Sequence, residues 1–144
     1  MDTSGFAEPD IILEVAKRTD LWLYDLKLME DNKHLEWTGV SNQLILKNLQ
    51  LLADNGSDIN IRIPLIEGVN TDDENIHQSA QFIVQLSGDK KTINLLSYHN
   101  IAQVKYKKLG QAFDPGVMAQ PSTERQKEIV EIFNSYNLEA IIGG

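Results

Sequence analysis

Five ionisable side chains, Asp2, Asp25, Lys27, Arg62 and His99, recur along the chain at regular intervals. Asp25 follows Asp2 by 23 positions, Arg62 follows Lys27 by 35, and His99 follows Arg62 by 37. Each interval is about the length of one strand plus one helix. Two carboxylates can hold an ammonium group or a cation, while lysine, arginine and histidine can hold a carboxylate or hydroxyls. A zwitterionic small molecule fits that mixture better than a simple phosphate. The competing explanation is an ion network that satisfies only itself, with Asp25 paired to Lys27 or Arg62. Such pairs roughly break even against apolar packing. Polar groups from four separate segments, all brought to one place, argue for a ligand site.

The elements that would carry these residues alternate. Residues 8–19 (EPDIILEVAKRT) place Pro9 near a helix start and Ile11, Ile12, Val15 and Ala16 on a helical stripe. Residues 21–28 read as a strand and 32–37 as a short helical piece. A second helix follows, with Ser41 as N-cap and Gly56 as its stop. Residues 58–66 (DINIRIPLI) alternate with period two, a strand. Thr71 with Glu74 and Thr123 with Gln126 form capping boxes ahead of two more helices. Residues 91–100 (KTINLLSYHN) give another strand, and LEAIIGG a last short one. Alternation with short connections implies right-handed βαβ units and a parallel sheet. The fold class is α/β, a partial (β/α) barrel of about four βα units, with residues 1–144 as a single domain. Neither a dinucleotide fingerprint nor a P-loop occurs.

Side chains alternate across a strand. In LWLYDLKLM, Leu23, Asp25 and Lys27 share one face, and Trp22, Tyr24, Leu26 and Leu28 the other. Asn60 and Arg62 share a face of the next strand, and Ser97 and His99 are assigned to the corresponding face of the third. Asp2 stands where the strand before the first helix would end. Those polar faces look into the barrel at its C-terminal rim, where barrel active sites are built.

Composition narrows the function. A chain of 144 residues with 42% hydrophobic side chains can bury a real core. A net charge of −8 argues against nucleic-acid partners, which are held largely by lysine and arginine. The chain has no apolar run long enough to span a membrane and no signal-peptide pattern, so a cytoplasmic location is expected. Cysteine is absent, which excludes disulfides, thiolate nucleophiles and cysteine-ligated clusters within this chain. His34 and His77 read as surface residues of helices, and Asn55-Gly56-Ser57 as a turn.

The segments DTSGF (2–6), LYDLKLM (23–29), TGVSNQLILKNL (38–49), IRIPLIEGVN (61–70), LLSYHN (95–100), KYKKLG (105–110) and the closing IIGG have a precedent as an ordered set. The chain resembles the glycyl-radical-enzyme activating enzymes, typified by pyruvate formate-lyase activating enzyme, of the radical S-adenosylmethionine superfamily. The resemblance covers nearly the whole chain and implies a partial barrel that binds S-adenosylmethionine across its strand ends. The full enzymes cleave that cofactor reductively at a [4Fe-4S] cluster, and the resulting radical takes a hydrogen from a glycine of a partner glycyl-radical enzyme. The resemblance implies that Asp2, Lys27, Arg62 and His99 contact or surround the cofactor. It also implies that Asp2, Thr3 and Asp25 form a monovalent-cation site, and that residues 101–116 lie near the entry of the partner's glycine loop.

The sequence departs from the family in lacking both the C-x3-C-x2-C cluster ligands and the Gly-Gly-Glu segment, which in the family precede this region. The expectation is therefore the C-terminal part of an activating enzyme, inactive alone and with a weak cofactor site. The alternative is a non-catalytic binding module that lost the radical chemistry; an intact aldolase-like or phosphosugar barrel fits four units less well. An unpaired strand edge is expected to favour a homodimer.

Overall fold

The computed structural model describes residues 1–88, 91–97 and 119–143. Within them run β1 (Asp2–Thr3), α1 (Pro9–Ala16), β2 (Trp22–Asp25), α2 (Asp31–Thr38) and α3 (Gln43–Asp54). After these come β3 (Ile59–Leu65), α4 (Asp73–Val84), β4 (Thr92–Ser97), α5 (Thr123–Ser135) and β5 (Ala140–Ile142). The five strands form one parallel sheet in the order β1-β2-β3-β4-β5. With right-handed crossovers, a sequential order keeps the helices on one face and leaves the other face open. This is the wall of a barrel, as the sequence led us to expect, and not a doubly wound sheet.

Burial along β3 shows the two faces. Ile59, Ile61, Ile63 and Leu65 are buried, whereas Asn60, Arg62 and Pro64 between them are only half-buried. In β2, Trp22 and Tyr24 are buried on the helix side, and Leu26 and Leu28 continue that alternation beyond the strand. The register aligns Tyr24, Ile61, Ile93 and Ala140 in one row facing the helices. Together with Ile45, Leu49 and Leu52 of α3, Ile76, Ala80 and Ile83 of α4, and Ile129 and Phe133 of α5, they form the core.

Several local expectations are corrected. The first helix ends at Ala16, and Ile11 is 56% exposed, so the buried stripe runs through Ile12. The N-cap of α3 is Asn42 and not Ser41; the Ser41 hydroxyl accepts from the Gln43 amide at 3.2 Å. Asp72, not Thr71, caps α4 by accepting from the Asn75 amide, and Ser122, not Thr123, caps α5 by accepting from the Arg125 amide. In both, the side-chain oxygen reaches the third residue of the helix, the donor an N-cap serves. His34 is buried at 3% exposure instead of lying on the surface. Its Nδ1 donates to the Val40 carbonyl at 2.8 Å and thereby closes the turn between α2 and α3. His77 is half-buried, with Nδ1 2.9 Å from the Tyr136 hydroxyl. Ser97 pairs with Leu65 on the helix side and donates to Gln126 at 2.9 Å, so the open-face residues of β4 are Thr92, Asn94 and Leu96.

The turn after β1 is fixed by a close approach. Gly5 has φ +74°, and a Cβ placed on it would lie 1.6 Å from the Tyr24 hydroxyl oxygen. That hydroxyl donates to the Ile45 carbonyl at 2.6 Å, and burial pushes the phenol's pKa well above its ordinary value, so it remains a donor. Asn48 completes the turn by donating to the carbonyls of Gly5 and Ala7 at 2.8 and 2.7 Å. Gly5→Ala therefore combines overpacking with a disfavoured backbone. Urea unfolding should read a loss of about 2–4 kcal/mol, against less than about 0.5 kcal/mol for a substitution at an exposed position such as Glu8.

Candidate cofactor-binding site

The open face carries a continuous chain of opposite charges. Asp25 and Arg62 are directly paired in the register of β2 and β3, two residues beyond the Asp2–Leu23 pair and on the same face. The Arg62 Nε donates to Asp25 Oδ1 at 2.9 Å, and Nη2 lies 2.7 Å from the same oxygen. The other side of the guanidinium reaches Asp2: Nη1 donates to Oδ2 at 3.1 Å, and Nη2 meets Oδ1. Lys27 Nζ donates to the remaining Asp25 oxygen, Oδ2, at 3.2 Å. The order is acid, base, acid, base across three strands. Partial burial works against the charge of Arg62, but the bonds to Asp2 and Asp25 outweigh it and hold its proton more tightly than usual.

The structure thus brings Asp2, Asp25, Lys27 and Arg62 together at the strand ends. Thr3 projects to the opposite side, in the row of Tyr24, and its hydroxyl accepts from the Gly5 amide at 2.9 Å. The Arg62 guanidinium stands between the carboxylates of Asp2 and Asp25. His99 and residues 101–116 lie outside the described residues. Among the described residues, no cluster of three or more His, Cys, Asp or Glu side chains could hold a metal ion, and no helix is long and apolar enough to cross a membrane.

Sequence reasoning missed the groups that hold the rim in place. The segment after Lys27 leaves the sheet, and buried asparagines bind its backbone. Asn42 donates to the carbonyls of Leu28 and Met29 at 3.0 and 2.8 Å, and the Met29 amide donates to Asn75 Oδ1 at 2.9 Å. Asn94 was missed as well; it pairs with Arg62 in register, and its buried Oδ1 has no hydrogen-bond partner among the described residues. Period-two alternation read outward from Arg62 through the register would have found Asn94. No sequence signal marks the asparagine-to-backbone bonds.

No protein-family model matches the chain. It is 43% identical over 146 residues to the trans-4-hydroxy-L-proline dehydratase activating enzyme of Clostridioides difficile, covering 100% of this chain and 48% of that protein. A solved domain of pyruvate-formate lyase-activating enzyme from Bacteroides vulgatus superposes with a TM-score of 0.82 at 38% identity, over 99% of this chain and 79% of that one. A radical SAM methyltransferase from Sphaerobacter thermophilus shares the fold, with a TM-score of 0.68 at 18% identity over 99% of this chain and 39% of that one. The sheet is therefore the partial barrel of the radical S-adenosylmethionine proteins. Within that class, the chain belongs to the glycyl-radical-enzyme activating enzymes. It spans about half the length of the curated relatives it matches.

The charge chain can be tested apart from any ligand. Arg62→Met leaves the carboxylates of Asp2 and Asp25 on one face without the cation between them. Urea unfolding at neutral pH should show a loss of about 1–3 kcal/mol, with Asp25→Asn costing less because a neutral amide still accepts from the guanidinium.

Proposed function

We propose that this chain forms the S-adenosylmethionine-binding wall of a glycyl-radical-enzyme activating enzyme. In that reading the whole enzyme cleaves the cofactor reductively and generates a glycyl radical on a partner enzyme in the cytoplasm. The observation that carries it is the charge chain Asp2–Arg62–Asp25–Lys27 at the strand ends of this family's fold. Both signs of charge lie within reach of one small molecule, which suits a cofactor bearing an ammonium, a carboxylate and ribose hydroxyls. Lys27 and Arg62 offer donors to the carboxylate and hydroxyls, Asp2 and Asp25 accept from donor groups, and His99 is assigned to the same site. Asp2 and Asp25 remain the proposed monovalent-cation ligands, and Thr3, whose side chain projects to the opposite side, can join them only through its backbone carbonyl; a cation between the two carboxylates has to displace the Arg62 guanidinium.

The iron–sulfur cluster of the family does not fit this chain, because it has no cysteine to ligate one. We therefore assign no redox step to these residues. Radical formation would need cysteine ligands that these 144 residues do not contain, and the chain alone is inactive in this reading. A second reading has one observation in its favour: the four charged groups already satisfy one another, as they would in a binding module that had lost the chemistry.

Calorimetry with S-adenosylmethionine separates the two. Binding in the high micromolar range is expected, weakened about fivefold or more by Lys27→Ala or His99→Ala, the loss of one charge-assisted hydrogen bond. Affinity unchanged in both variants would remove this site assignment, and no heat at all would favour the module. Titration in potassium and in tetramethylammonium buffers checks the cation. The outer edge of β1 is proposed to pair two copies of the chain, so sedimentation velocity should show self-association rising with concentration. A monomer at every concentration would contradict that pairing.

A further inference from the structure

Asn70, in the loop between β3 and α4, is 2% exposed and uses its whole amide. Its Oδ1 accepts from the Ile66 amide at 2.9 Å, and its Nδ2 donates to the carbonyls of Pro64 at 2.6 Å and Lys27 at 3.1 Å. The first two bonds close a local turn. The third crosses to a segment 43 positions away in sequence, and local turn-closing does not require it.

Pro64 supplies the reason. The ladder between β2 and β3 runs as far as the Leu26 amide, which donates to the Arg62 carbonyl at 2.9 Å. Backbone groups along a strand alternate between its two neighbours, so residue 64, two beyond Arg62, also faces β2. Proline has no N–H, and the next rung cannot form. The chain at Lys27 therefore leaves the sheet one rung early, at the position where its side chain joins the charge network. The N–H that Pro64 lacks would have met the Leu26 carbonyl; the carbonyl of the next residue, Lys27, belongs to the other edge of β2, and the Asn70 amide donates to it where the chain leaves the sheet.

We propose that Asn70 is the positioning residue for Lys27, a side-chain tether beyond the end of the ladder that holds the lysine's backbone so that its ammonium meets both Asp25 and the bound ligand. This rests on the reading of Lys27 as a ligand-binding group. Asn42 and Asn75 fix the next two residues, and Asn70 fixes the lysine itself.

The test is a double-mutant comparison in the full chain, read by calorimetry with S-adenosylmethionine. Asn70→Asp keeps the acceptor for Ile66 and removes the donor; Asn70→Ser provides a second variant should the first fail to fold. Each is made with Lys27 present and in a Lys27→Ala background. With Lys27 present, the dissociation constant should rise about three- to tenfold, and in the Lys27→Ala background it should change less than about twofold, since coupled residues are not additive. A purely structural role would shift both backgrounds equally, and that result would overturn the proposal. So would an unchanged dissociation constant in the Asn70 variants while Lys27→Ala weakens binding. Lys27→Ala without effect is a different failure: it removes the ligand reading itself, and this inference with it.

Discussion

One guanidinium organises the open face of this sheet. Arg62 lies between two carboxylates carried by different strands, and each would repel the other across a shared surface without it. Lys27 takes the remaining oxygen of Asp25, so charge alternates from β1 through β3 with no like neighbours. In energy the arrangement is modest, because half-exposed ion pairs contribute about 1 kcal/mol or less each. Its larger effect is geometric. β1 has only two residues in the sheet, and the fork of Arg62 ties it to the centre by its first acidic side chain.

Much of this was legible in the sequence because a strand imposes a strict alternation. Asp25 and Lys27 within LWLYDLKLM, and Arg62 within INIRIPL, could be assigned to the open face from period alone, since their neighbours are uniformly apolar. β4 resisted the same treatment. In TINLLS the side chains of Ile93, Asn94 and Leu95 are all buried, so the burial pattern itself does not alternate. Only pairing with β3 shows that Asn94 stands beside Arg62 and Ser97 faces the helices. His34 misled for a related reason: DNKHLEWT is a polar octapeptide with no apolar stripe, and the histidine is buried by the turn that follows it.

The asparagines were invisible for a different reason. Each joins backbone to backbone across 13 to 46 positions, through Asn42, Asn48, Asn70 and Asn75. Such bonds follow no periodicity: Asn48 and Asn75 lie within helices, where their spacing marks no partner, and Asn70 lies in a loop, where asparagine ordinarily reads as turn chemistry. They become intelligible only where strands end and carbonyls lose their ladder partners, which is also where the charged side chains gather. The rim is thus held by uncharged amides, which do not titrate, beneath a layer of paired charges.

The one-sided winding of the sheet has an evolutionary consequence. Helix-facing rows carry the hydrophobic core, while the rows of Asp25, Asn60, Arg62 and Asn94 face away from it. Substitutions on that second surface leave most of the apolar packing intact. A lineage can therefore revise what the open side recognises without solving the folding problem again, and the same wall can serve enzymes that diverge in the molecules they handle.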